Sequence, residues 1–184
     1  MENNNYVVSL EYRVYQSFLG RYFMGHTPQL TLPSCGSVWA ALYNPPASGM
    51  NVFVNTFTVS NFSATPFRAH LWLNAMAGGG VVSRSCAPPT RRSLPQTWPR
   101  AVIDYGQSAP QGGCSLFTRV VGAHSTEVGN YYGKIVIPQG GTFLVRLLSP
   151  SIGTVSDEVA FGWWEEPVQQ QSQSYIEAAS KEEK

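Results

Sequence analysis

Short runs of β-branched and aromatic residues, each closed by a Gly- or Pro-rich turn, repeat from residue 37 to residue 165. Runs of that length and composition read as strands. The pattern predicts strands at Ser37–Tyr43, Asn51–Ser60, Phe67–Asn74, Ala101–Tyr105, Ser115–Val121, Tyr131–Ile137, Thr142–Leu148 and Glu158–Glu165, with a short one at Val81–Ser83. Several show a period of two. Phe67, Ala69, Leu71 and Leu73 share one face, and Arg68, His70 and Trp72 share the other. Such alternation marks a half-buried strand. Phe143, Val145 and Leu147 alternate in the same way, as do Val159, Phe161 and Trp163. Pro138-Gln139-Gly140-Gly141 reads as a hairpin turn, because its glycines supply the positive φ such turns need.

About eight strands with no long helix among them define an all-β chain. The expected architecture is a jelly-roll-like antiparallel β-sandwich with N- and C-terminal extensions. An immunoglobulin-like sandwich is the second reading, although the Cys–Trp–Cys spacing of that fold is absent. At 184 residues the chain is long enough for one sizeable core. The expected division is an N-terminal arm over 1–20, a β-sandwich domain over 21–167 and a polar tail over 168–184. The arm is dense in aromatics, and Glu11–Leu19 fits either a short helix or an extended segment. The tail is rich in Gln and Ser and ends in helix formers. Ala75–Arg100 reads as a long loop carrying Arg84, Arg91, Arg92 and Arg100. It is either a solvated loop or a contact with an acidic neighbour.

Ionisable groups are scarce. Charged residues make up 12% of the chain, about half the usual ~25%. Asp104 and Asp157 are its two aspartates, and His26, His70 and His124 its three histidines. A Ser/His/Asp set would have to draw on His70 or His124 with Asp104 or Asp157, and no Gly-x-Ser-x-Gly elbow is present. Glu165 and Glu166 are adjacent on a strand, so they point to opposite faces and cannot flank one glycosidic bond. The glycine clusters lack the Lys and helix of a phosphate loop. The reading is therefore no enzyme, no cofactor and no metal. A net charge of +1 shows no nucleic-acid footprint. No apolar run reaches the ~18 residues of a membrane span. A polar start with no apolar run behind it predicts synthesis in the cytoplasm without a signal peptide.

Cys35, Cys86 and Cys114 lie in Gly-, Pro- or Ser-rich surroundings and form no Cys-x-x-Cys pair. They are either isolated thiols or, being odd in number, candidates for disulfides between subunits. Trp72, Trp98 and Trp164 are candidate interface or ligand aromatics.

The run Val159-Ala160-Phe161-Gly162-Trp163-Trp164-Glu165-Glu166-Pro167 resembles the closing motif of an uncharacterised protein family of endospore-forming bacteria, a domain of unknown function. Leu19–Gly25, Trp39–Pro46, Gly49–Asn61 and Ile137–Val145 are similar to the same family, so the resemblance spans residues 15 to 167. It implies no activity. The architecture also resembles the jelly-roll subunits of bacterial spore appendages, which build fibres by strand exchange and, in some types, disulfides. This chain has no cysteine in its N-terminal arm, which departs from that pattern.

Together these readings predict a non-enzymatic structural subunit that partners itself, and other surface proteins, in a filament, appendage or coat on a spore or cell surface. The mechanism would be edge pairing, since sandwiches leave strand edges with unpaired backbone groups. The expected donor arm carries Tyr6, Val8, Leu10, Tyr12, Val14, Tyr15 and Phe18, with the tail from Val168 as second candidate. A carbohydrate-binding β-sandwich module and a phage or virion structural protein are the alternatives.

Overall fold

The computed structural model describes residues 9–87, 98–149 and 153–168. Among the described residues one short helix, α1 (Tyr12–Phe18), precedes twelve strands. They are β1 (Tyr22–His26), β2 (Leu30–Leu32), β3 (Ser37–Tyr43), β4 (Met50–Asn61), β5 (Phe67–Leu73), β6 (Val81–Val82), β7 (Cys86–Ala87), β8 (Val102–Gly106), β9 (Cys114–Val121), β10 (Thr126–Ile137), β11 (Thr142–Leu148) and β12 (Val155–Pro167). All pairings are antiparallel. The first sheet runs β10-β4-β12-β1-β7, with β2 also paired to β12. The second runs β6-β8-β3-β11-β5-β9. Along the chain β3, β4 and β5 alternate between the sheets, and so do β9, β10, β11 and β12. Two antiparallel layers wound in this order form a jelly roll. The all-β sandwich expected from the alternating runs is the architecture observed.

The core lies between the sheets. Val54, Phe57 and Val59 of β4 meet Leu71 of β5, Phe143 and Val145 of β11 and Phe161 and Trp163 of β12. Edge-to-face ring contacts, such as Phe57 with Phe143 at 5.8 Å and 69°, lock it. Gly129 is required here: a Cβ would stand 2.0 Å from the Phe57 ring. Burial alternates along β5 and along β12 from Val155 to Phe161, as a one-sided strand demands. In β3 it does not, because residues after β5 fold back over the second sheet. Ala75 and Ala77 there pack on Trp39, Ala41, Trp72 and Leu144.

Asp157 is an exception to the core's chemistry. It is fully buried, on the same face of β12 as Val155 and Val159, and neither carboxylate oxygen has a hydrogen-bond partner among the described residues. Burial pushes its pKa up to about 7.

Three expectations change. Pro138–Gly141 is not a hairpin: β10 pairs with β4 and β11 pairs with β3 and β5, so the turn carries the chain from one sheet to the other. Its local chemistry is that of a tight turn, with Gly140 at φ +80° and the Gly141 amide donating to Pro138 O at 2.9 Å. The backbone of Asn44, just past the end of β3, holds the corner: its amide donates to Gly141 O and its carbonyl accepts from Gly140 N. Within the expected loop 75–100, the short strand expected at Val81–Ser83 is β6, paired with β8, and an unexpected second one, β7, pairs with β1. Finally, β1 and β2 are strands that the sequence pattern does not predict, and β10 starts five residues before the predicted Tyr131.

Candidate interaction surface

The closing run of β12 organises both faces of the first sheet. Trp163 and Glu165 point inward, and Trp164 and Glu166 point outward. In each pair the indole donates to the carboxylate two residues later, Trp163 Nε1 to Glu165 Oε1 at 3.0 Å and Trp164 Nε1 to Glu166 Oε1 at 2.9 Å. The inward carboxylate also accepts from the backbone amides of Arg100 and Ala101 at 2.9–3.0 Å. It thereby ties residues 98–101 to the sheet.

The outward pair holds α1. Glu166 Oε1 accepts from the Tyr12 hydroxyl at 2.8 Å and from Gln16 Nε2 at 3.1 Å. The carboxylate raises the pKa of the Tyr12 phenol above its ordinary value. Trp164 stacks on Phe53 with ring centroids 5.2 Å apart and meets the Tyr12 ring edge-on. Gly133, at φ +78°, lets the backbone lie on the indole; a Cβ would reach within 2.0 Å of it. Trp164, a candidate interface or ligand aromatic, is therefore only 4% exposed. It serves an interface inside the chain.

Of the expected donor arm, Tyr12, Val14, Tyr15 and Phe18 are in α1, which is helical rather than extended. Tyr6 and Val8, like the tail beyond Val168, lie outside the described residues. Gln16 is the helix's buried residue. Leu10, Val14, Tyr15, Phe18 and Leu19 are exposed, so α1 presents an apolar surface away from the sheet.

A second surface is formed by strand edges. Among the described residues β9 pairs only with β5 and β10 only with β4, and the two edges lie on the same side of the sandwich, bridged by Arg119 and Glu127 at 3.3 Å. Val120 is 67% exposed on β9, and Val128 is 52% exposed on β10. The register of β10 is irregular between Asn130 and Ile135, where Tyr132 has φ +53°. The stretch from Thr126 to Asn130 is the regular part of this edge.

The three cysteines are not equivalent. Cys35, in the turn after β2, and Cys114, the first residue of β9, are exposed. Cys86 is half-buried in β7, and its sulfur packs beside Gly25 and Ile103 of the core. Burial, and then the Glu165 carboxylate, push its thiol pKa up. No disulfide is formed within the chain. Cys35 and Cys114 are accessible at the surface, whereas Cys86 is shielded by the core. Iodoacetamide should alkylate Cys35 and Cys114 readily at neutral pH and Cys86 about tenfold more slowly or worse until the protein is unfolded. Peptide mass mapping of a labelling time course reads this directly; equal rates at all three would refute it.

Trp72 is half-buried beneath Ala75 and Ala77, a packing residue. Trp98 stands 66% exposed beside a cleft of about 510 Å³. The Ser/His/Asp combinations do not assemble. His70 and Asp104 lie on strands three apart in the second sheet, roughly 14 Å at the usual spacing. Asp157 is in the core, and His124 is in the turn before β10. Burial, and the Arg146 and Arg68 guanidiniums, lower the pKa of the His70 imidazole. Among the described residues no three His, Cys, Asp or Glu side chains cluster as a metal site. None of their helices is long and apolar enough to cross a membrane.

A family model described as a family of unknown function (DUF6143) matches residues 2–170. No curated protein and no solved structure matches the chain.

Proposed function

The chain belongs to DUF6143, a family of unknown function, and we propose that this member is a non-enzymatic structural subunit that self-assembles by exchanging strands or arms. The observation that carries the reading is the pair of edges, β9 and β10, on one side of the sandwich, which pair with no further strand among the described residues. Each has a row of backbone groups that a strand from another copy can pair with. The apolar outer face of α1 supplies a second patch. Contact between two different patches propagates head to tail, and gives a ring if it closes and a fibre if it does not. Low net charge leaves little repulsion between copies. A filament, appendage or coat on a spore or cell surface is the setting that the resemblance to spore-appendage subunits suggests.

Light scattering and negative-stain electron microscopy of the full chain, with and without reductant, test this. Filaments, rings or defined oligomers are expected. A Val120→Lys/Val128→Lys variant puts a charge on each edge. Both positions are exposed, so its Tm should stay that of the parent while assembly is lost. A monomeric parent in both redox conditions overturns self-assembly. A variant that assembles like the parent overturns the edge route.

A further inference from the structure

We infer that the cleft beside Trp98 binds an acidic saccharide, through stacking on the indole and ion pairing to Arg21 and Arg100. The cleft, about 510 Å³, is within the usual range for small-ligand sites. It opens between the residues that follow α1, the start of β4, the segment 98–100 and the end of β12. Trp98 and Arg100 come from one side, Arg21 from another, and Met50 and Pro167 complete its walls.

The indole stands exposed two residues before a fixed stretch of backbone. Trp98 is 66% exposed, although a tryptophan gains more than almost any residue from burial. Its segment is not loose. The amides of Arg100 and Ala101 are fixed by Glu165, a carboxylate only 4% exposed. Burying a carboxylate costs several kcal/mol unless hydrogen bonds compensate, and these are the bonds that compensate. The same carboxylate lines the cleft, but its oxygens are engaged by the two amides and by the Trp163 indole. A pre-positioned aromatic surface loses little entropy on meeting a ligand.

The other groups define the ligand. Arg21 and Arg100 are exposed and take part in no ion pair among the described residues. A guanidinium pairs with a carboxylate through two parallel hydrogen bonds. An indole face accepts the C–H face of a pyranose ring. A ligand that combines a pyranose with a carboxylate, such as a hexuronate, satisfies both. A polyanionic nucleic acid is a poorer fit, since two arginines on a chain of net charge +1 make a small electrostatic footprint. The inference does not depend on self-assembly.

Titration calorimetry of the full chain with tetragalacturonate tests it, with cellotetraose as the neutral control and adenosine monophosphate as the competitor. Saturable binding of the uronate, at least about tenfold tighter than that of the neutral oligomer and weakened by salt, is expected. Trp98→Ala and Arg100→Gln should each lower affinity about tenfold or more, with Tm unchanged because both side chains are exposed. Trp98→Phe should retain most of it. No saturation at millimolar uronate, equal binding of the neutral oligomer, parental affinity in Trp98→Ala, or tighter binding of the nucleotide would each overturn it.

Discussion

Asp157→Asn should stabilise the domain by about 4 kcal/mol at pH 8 and by almost nothing at pH 4. The carboxyl group is fully buried, has no hydrogen-bond partner among the described residues, and titrates near pH 7 rather than near 4. In the unfolded chain it releases its proton around pH 4. Between those values the folded protein holds a proton that the unfolded chain has lost. Stability is therefore fully present below pH 4, falls as pH rises toward 7, and is flat above it as far as this group is concerned. An amide has nearly the shape of the protonated acid and carries no charge, so the variant loses the dependence. For a domain of this size the difference at pH 8 corresponds to a rise in Tm of about 10 °C. Thermal unfolding of both proteins at several pH values is the measurement. A Tm difference that does not grow from pH 4 to pH 8 would show that the carboxylate is solvated or paired after all.

Glu165→Ala should act in the opposite direction, with a loss of about 3–5 kcal/mol. Truncation strands the amides of Arg100 and Ala101 and the Trp163 indole together, all of which face the Glu165 carboxylate. Each buried donor left without an acceptor costs about 1–3 kcal/mol, partly relieved if water enters. Glu165→Gln keeps one acceptor oxygen but turns an NH₂ group toward the donors, so it should fall between parent and Ala. Its neighbour gives the contrast. Glu166→Ala releases α1 and uncovers Trp164 at the surface, without opening the core. Chemical denaturation of the three variants should rank Glu165→Ala as the least stable. A Glu166→Ala loss as large as that of Glu165→Ala would contradict the inward-outward division of the two carboxylates.

Short apolar strands closed by turns are legible without structure. Ser37–Tyr43 and Thr142–Leu148 match β3 and β11 residue for residue, because a compact run of β-branched, aliphatic and aromatic residues with a Gly- or Pro-containing turn at each end suffices to mark them. What failed was the partner. Pro138–Gly141 has the chemistry of a hairpin turn, yet pairing depends on which sheet the next strand joins, and β11 finds its partners in β3 and β5, both far upstream. β1 and β2 are not visible in the pattern because Gly25 and Thr27-Pro28 interrupt a short run; β12 pairs with both, and β7 pairs with β1 as well. The early stretch of β10 was hidden by Gly129 and Asn130, poor strand formers, and Gly129 is there to make room for Phe57.

The same holds for the surfaces. The opposite orientation of Glu165 and Glu166 followed from strand geometry alone. That Trp164 would be buried did not, because its cover comes from α1 and Gly133, which no local pattern links to it. The arm residue Tyr12 and the candidate aromatic Trp164 read as separate surface features, yet their rings meet edge-on within the chain. Trp98 is the reverse case, a tryptophan in a Pro-rich stretch that the fold leaves bare.

The pairing of β12 has a consequence for how the protein is made. Residues 155–167 hold α1, β1, β2, β4 and the segment 98–101, and every one of these leaves the ribosome before they do. During synthesis the aromatic N-terminal stretch has no place to dock, and half of the sandwich has no centre strand. The nascent chain is thus obliged to wait, with its most adhesive residues uncovered for the longest time, and then to close in a single late step. Any partner, whether a chaperone or a second copy of the chain, that is to engage those residues in extended form has that interval in which to do so.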